Sequence, residues 1–313
     1  MSLDALELRR RRQAAWVLWL IPLLWSTNLL AARVAPGIVS PHVLAFGRWL
    51  IAACVLTYLA RGEIRGVFAA LRTHPLRYLV LGACGMWICG AWVYLAGQST
   101  SAMNLSLIYS SSPVMIALGS VWWLGERLRW HQAIGVAAAL AGVLHVIVQG
   151  HWLRLGEVVL VPGDAWVCAA AVAWAAFALL QKRWQSPLSA MAQLTAMAWG
   201  GVVVLAPFTL WELSLASTPA VSRQAIGLMV VTGLLPGVGA YWIYSWTQRI
   251  LGASRVGMTL YLAPLYSAGV AWAVLGEPIG LHHLWGGLLI LGGVALVTQT
   301  GGTSSAQPPK RVA

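Results

Sequence analysis

Charge is scarce in this chain. Asp, Glu, Lys and Arg make up 9% of its 313 residues, and only eight residues are acidic. Soluble domains carry about 25% charged residues. So few charged groups cannot cover a water-facing surface, which excludes a soluble enzyme, a disordered protein and a nucleic-acid binder. Cysteine is also sparse: Cys54, Cys84, Cys89 and Cys168 all fall inside apolar runs. Cys84 and Cys89 lack a second pair or a His cluster nearby, so they read as packing residues and not as metal ligands or a disulfide framework. No cofactor and no metal is implied.

Apolar residues fill the space left by charge. They amount to 59% of the chain, with a mean hydropathy of +0.75. A membrane-spanning helix needs about 20 mostly apolar residues. Ten such stretches can be drawn: 14–34, 41–60, 76–98, 101–123, 130–149, 163–182, 188–210, 224–247, 252–275 and 281–299. Turn-forming groups such as Pro36-Gly37, Gly125-Glu126-Arg127 and Gly276-Glu277-Pro278 separate them. A basic arm (1–13) and a Gly/Ser/Pro tail (300–313) flank the spans, and neither reads as folded. The first stretch is too long for the apolar core of a signal peptide. Pro22, Trp25 and Asn28 interrupt it, so it reads as an uncleaved span.

The basic residues, 20 against the eight acids, record orientation. With ten spans and a cytoplasmic N-terminus, 16 Lys and Arg fall on the cytoplasmic side. Three fall outside (Arg33, Arg154, Arg223), and Arg48 lies within a span. That asymmetry supports an inner-membrane protein with both termini inside.

The chain also repeats itself. Leu124-Gly125-Glu126 matches Leu275-Gly276-Glu277 at an offset of 151, as do Pro113 and Pro264, His131 and His282, Gly135 and Gly286, and Gly142 and Gly293. Trp25 and Arg33 match Trp174 and Lys182 at an offset of 149. Five spans per repeat is an odd number, so the second repeat crosses the membrane upside down. Inverted repeats are a transporter architecture with the solute site near the midplane.

On these residues the chain resembles a known family. Trp25-Ser26-Thr27-Asn28, Arg48-Trp49 and the repeated Pro…Leu-Gly-Glu…Gly…Gly pattern are similar to the EamA-type branch of the drug/metabolite transporter superfamily. Within it, the aromatic-rich spans look most like the bacterial amino acid and metabolite exporters of the YddG type. The resemblance implies an all-α polytopic fold of ten transmembrane helices in two inverted five-helix repeats, 14–149 and 163–299. It also implies a central cavity and export of small metabolites.

Polar groups inside a membrane are costly and mark candidate function. No Asp or Glu lies near the middle of any span, which points to facilitated movement without tight proton coupling. Arg48 has two readings. It can bind a substrate carboxylate, or it can pair with helix carbonyls and snorkel; the resemblance, with Arg beside an aromatic here, favours the structural one. Among the 19 Trp residues, those near span ends fit interfacial belts, while Trp25, Trp87, Trp92, Trp174 and Trp242 lie deeper. Packing is the ordinary fate of a deep Trp, but Trp25 and Trp174 are related by the repeat and are candidate cavity walls.

Asn28, Tyr109 and Ser112 are candidate substrate contacts, as are Trp87, Tyr94, Gln98, Tyr241, Tyr244 and Tyr261. Hydroxyl groups near Pro113 can instead bond back to the preceding turn. Pro113 and Pro264 each remove a backbone donor and are candidate hinges. Glycines 135, 142, 286, 287, 292 and 293 line helix faces that allow close packing, within the chain or in a homodimer. The expected partners are thus a small-molecule substrate, amino acids or related metabolites, and the lipid bilayer. Rival readings are a transporter of drugs, nucleosides or lipophilic cations, and an intramembrane enzyme; the latter lacks a visible Ser-His-Asp or paired-Asp set.

Overall fold

Proline, serine and glycine set the helix boundaries. Pro41, Pro75 and Pro162 open helices at the first turn, where a missing N–H costs nothing. Ser101, Ser189 and Ser222 cap others by accepting from the backbone N–H three residues on. Gly37 and Gly276 close turns at φ +80° and +68°, in the left-handed region that favours glycine.

The computed structural model describes residues 3–124, 130–153, 161–251 and 263–298. Those residues form α1 (Leu3–Val17), α2 (Leu20–Val34), α3 (Pro41–Leu59), α4 (Ile64–Thr73) and α5 (Pro75–Gly82). A π-helical stretch, Ala83–Trp92, joins α5 to α6 (Val93–Ala96). Then come α7 (Ala102–Tyr109), α8 (Ser112–Leu124), α9 (Trp130–Ile147), α10 (Pro162–Arg183), α11 (Ala190–Ser214) and α12 (Arg223–Thr232). A second π-helical stretch, Gly233–Ala240, leads into α13 (Tyr241–Leu251), followed by α14 (Ala263–Leu275) and α15 (Leu281–Thr298).

Six helical runs among the described residues are long and apolar enough to cross a membrane: Leu8–Val34, Pro41–Leu59, Pro75–Ala96, Pro162–Gln181, Ala190–Ser214 and Arg223–Tyr244. Helices also lie in the other four stretches drawn from the sequence, but they are shorter, broken or bordered by undescribed residues. The fourth stretch is broken at Ser110-Ser111, between α7 and α8.

One expectation needs correction. The basic arm was expected to be unfolded, yet Leu3–Val17 is helical and packs against α13. Its Leu, Ala, Glu, Arg and Gln are strong helix formers, and a helix satisfies its own backbone where it approaches lipid. The tail at 300–313 lies outside the described residues.

The two halves interleave. Helix α15 packs along α9, α11 on α3 and α5, α10 on the first π-helical stretch and α8, and α14 on α2 and α7. Glycine permits the closest of these contacts. A Cβ at Gly293 would lie 2.4 Å from the Gly135 carbonyl, and one at Gly142 would lie 2.8 Å from that of Gly286. Buried Leu44, Trp49, Leu56, Leu81, Leu105 and Ile108 belong to one continuous core. Leu210, Trp272 and Leu281 face outward and are more than 60% exposed, which suits lipid contact. Trp16, Trp122 and Trp130 are exposed at helix ends, as an interfacial belt requires.

The two π-helical stretches begin 150 residues apart, close to the repeat offsets. Pro236 lies inside the second and cannot donate to the helix ladder. The wider π turn is a local irregularity of the kind often found at functional sites.

Candidate functional site

Among the described residues, two groups of polar contacts stand out, one at helix ends and one in a central cavity. At helix ends, buried or half-buried acids each have partners. Glu212 accepts from the backbone N–H groups of His42 (2.9 Å) and Val43 (3.1 Å) at the start of α3, and its other oxygen lies 2.7 Å from His42 Nδ1. Asp164, in the first turn of α10, accepts from Thr100 Oγ1 at 2.7 Å. Glu277 accepts from Arg33 Nε at 3.1 Å and from the Ala102 N–H, at the start of α7, at 3.1 Å. Arg33 also donates to the Gly97 carbonyl at 2.7 Å. That cluster ties α2 and α7 to the turn after α14.

The cavity lies midway along the helices, between the two halves, with a volume of about 160 Å³ open to the centres of water-sized molecules. Trp25, Arg48, Trp49 and Tyr109 come from the first half, and Trp174 and Tyr241 from the second. The aromatic rings form a continuous wall. The Trp25 and Tyr241 centroids are 5.9 Å apart, Trp49 and Tyr241 6.0 Å, Trp174 and Tyr241 6.4 Å, and Tyr109 and Trp174 6.3 Å. Such rings offer apolar area with a polar tip.

Arg48 enters this wall from the middle of α3 and is 5% exposed. Its Nη1 donates to Asn28 Oδ1 and, at 2.8 Å, to Tyr94 Oη. Tyr94 in turn donates to Asn28 Oδ1 at 2.7 Å. The guanidinium carbon stands 5.0 Å from the Trp49 ring centroid and 5.9 Å from that of Tyr94. Every one of these neighbours is neutral. Three buried polar atoms of cavity-lining residues have no hydrogen-bond partner among the described residues: Arg48 Nε, Trp49 Nε1 and Ser106 Oγ.

The sequence-predicted residues divide as follows. Trp25, Asn28, Tyr109, Ser112, Trp174 and Tyr241 line the cavity. Tyr94 and Tyr244 stand behind it, on Arg48 and on Trp25 (5.9 Å) respectively. Trp87 is elsewhere, stacked on Phe208 with centroids 4.2 Å apart. Gln98 is exposed in a turn after α6, and Trp242 is 52% exposed on the outer surface. Tyr261 lies outside the described residues. Ser111 and Ser112 bond back to the carbonyls of Ile108 and Tyr109, and Ser110 to that of Ser106. Their oxygens therefore keep acceptor capacity only. Pro113 is the second residue of α8, just past the break, and buried Pro264 is the second residue of α14. Ser106 and Ser267 were not singled out from sequence. Both sit on uniformly apolar helices, where no periodic signal separates them. Among the described residues no group of three His, Cys, Asp or Glu is placed to hold a metal ion.

Comparison with known proteins decides the family. The model of the EamA-like transporter family matches residues 13–148 and again 161–299. The chain belongs to the EamA-like transporter family. It is therefore a multi-pass membrane transporter, carrying two copies of the EamA unit. An uncharacterized transporter, YyaM of Bacillus subtilis (strain 168), is 28% identical over 84% of this chain and 86% of its own length. A probable terminal-alkyne amino-acid exporter of Streptantibioticus cattleyicolor is 27% identical over 92% of this chain and 94% of its own length. An S-adenosylmethionine/S-adenosylhomocysteine transporter of Chlamydia muridarum is 22% identical over 89% and 90%. A solved crystal structure has a similar fold, with TM-score 0.60 and 22% identity, covering 92% of this chain and 97% of that one.

Proposed function

We propose that this EamA transporter exports amino acids, aromatic ones included, or similar small metabolites across the inner membrane, with both termini cytoplasmic. Ten spans in two inverted five-helix repeats, 14–149 and 163–299, would build it. The observation that carries this reading is the central cavity, whose aromatic wall and polar atoms come from both halves. The relatives support the solute class. A terminal-alkyne amino acid, S-adenosylmethionine and S-adenosylhomocysteine all carry an α-amino-acid end. Lipophilic cations fit poorly, because Arg48 is a buried cation with no acid beside it among the described residues.

Movement proceeds by alternating access. The cluster of Arg33, Glu277 and the Ala102 N–H closes the outer end and must open to release solute outward. In the sequence, Lys182 and Glu126 are the repeat counterparts of Arg33 and Glu277, so a charge pair of the same kind is available to the cytoplasmic end. Glu126 lies outside the described residues. The helix starts at Pro113 and Pro264, related by the repeat, are the proposed hinges, since the helical run is broken just before Pro113, at Ser110-Ser111. Asp164, Glu212 and Glu277 are all engaged at helix ends, which supports facilitated movement without proton coupling and without catalysis.

Counterflow in proteoliposomes with a panel of amino acids tests the solute class. Wild-type protein is expected to exchange at least one aromatic amino acid, and Trp174→Ala to slow that exchange more than Ser112→Ala does. Absence of exchange for every amino acid would overturn the solute class while leaving the family intact. A pH gradient that by itself drives uphill accumulation would overturn facilitated movement.

A further inference from the structure

Arg48 lines the cavity and is the charged residue among its described lining residues. A guanidinium can only donate, so it calls for an acceptor. Buried donors without acceptors are expensive, and an unneutralised buried cation more so. A structural role explains one edge of the guanidinium, because Nη1 ties Asn28 of α2 and Tyr94 of α6 to α3. It leaves the charge itself unexplained, since both partners are neutral. Asn28, Tyr94 and the two aromatic faces hold the guanidinium in place without neutralising it. Among the described residues, the acids within or beside the membrane-crossing helices are bonded elsewhere, at helix ends. What the wall lacks is an anionic acceptor.

We propose that the solute supplies it: the Arg48 guanidinium is the carboxylate site of the cavity, which makes Arg48 the residue that selects carboxylate-bearing solutes. Donation from a charged guanidinium to a carboxylate is among the stronger hydrogen bonds, and the bonds to Asn28 and Tyr94 already hold this guanidinium in place. The aromatic wall opposite takes the apolar part of the same solute. Arg48→Lys keeps the charge but not the planar fork, so it weakens selection without abolishing it. This inference rests on the reading of the cavity as the solute site, but it does not require that the solute be an amino acid.

The test is competition against counterflow of a labelled carboxylate solute in proteoliposomes of the full-length protein. Three competitors of matched shape are used: phenylalanine, phenylalaninamide and 3-phenylpropanoate. In wild type, phenylalanine is expected to compete at least tenfold better than its amide. Arg48→Gln should lose that preference and Arg48→Lys retain part of it. Equal competition by acid and amide in wild type overturns the carboxylate site and leaves amino acid export standing. Competition and exchange by 3-phenylpropanoate but by no amino acid supports the site and overturns amino acid export. Failure of every carboxylate to exchange overturns both. The wild-type comparison needs no variant, so a misfolded Arg48→Gln protein leaves the test intact.

Discussion

The acids at the helix ends and the cation of the central cavity are partnered in opposite ways. At the ends, Glu212, Asp164 and Glu277 are each matched by donors from a neighbouring segment, and their bonds close within the protein. In the cavity, the Arg48 guanidinium is buried with neutral partners only and no acid beside it among the described residues. Matched groups hold a fold together. An unneutralised charge in a pocket calls for a counter-charge, which we assign to the solute. The contrast explains how one chain can be stable and still carry a site for a polar solute in a membrane.

The largest effect is expected at a matched end. Glu212→Ala strands the His42 ring and two backbone N–H groups, and breaking such a buried pair costs about 3–5 kcal/mol. Thermal unfolding in detergent should show the loss, while protein that still folds keeps its counterflow selectivity. A shift in selectivity with unchanged stability would reverse the assignment of this end. Next comes the cavity wall. Trp174→Ala should slow counterflow about tenfold, equivalent to roughly 1.4 kcal/mol, with little change in melting temperature, because Trp174 is only half-buried.

Glu277→Gln is a smaller perturbation. It removes the charge of a partly exposed pair, worth roughly 1 kcal/mol or about fivefold in the balance of open and closed outer ends. Faster modification of a cavity cysteine, Ser110→Cys, by an impermeant thiol reagent added outside would register it. An unchanged rate would remove the cluster from gating. Gln98→Ala should do least. An exposed turn residue outside the cavity is expected to change stability by under about 0.5 kcal/mol and transport not at all.

Much of this contrast was legible in the sequence, because long apolar runs and a two-fold repeat are strong signals. Trp25 and Trp174 stood out as a repeat-related pair, and Tyr109 and Ser112 by their place before Pro113. Six of the proposed contacts line the cavity as a result. Partnering was not legible. From sequence Arg48 reads more readily as an anchor than as a ligand, and its neutral partners Asn28 and Tyr94 appear only in the structure. Helix faces were also hidden, since helices that are apolar all round carry no period to say which side faces in. Two π-helical stretches add to this by shifting the register of the residues beyond them. Trp87 fell on such a stretch and packs on Phe208 instead of the cavity.

Solute protection tests the central claim most directly. In a chain with Cys54, Cys84, Cys89 and Cys168 replaced, a cysteine at Ser110 reports on the cavity and one at Gln98 reports on a solvated end. At a phenylalanine concentration that saturates counterflow, alkylation at position 110 should slow several-fold and alkylation at position 98 should not change. Equal rates at position 110 with and without solute, or equal slowing at both positions, would contradict the cavity as the solute site.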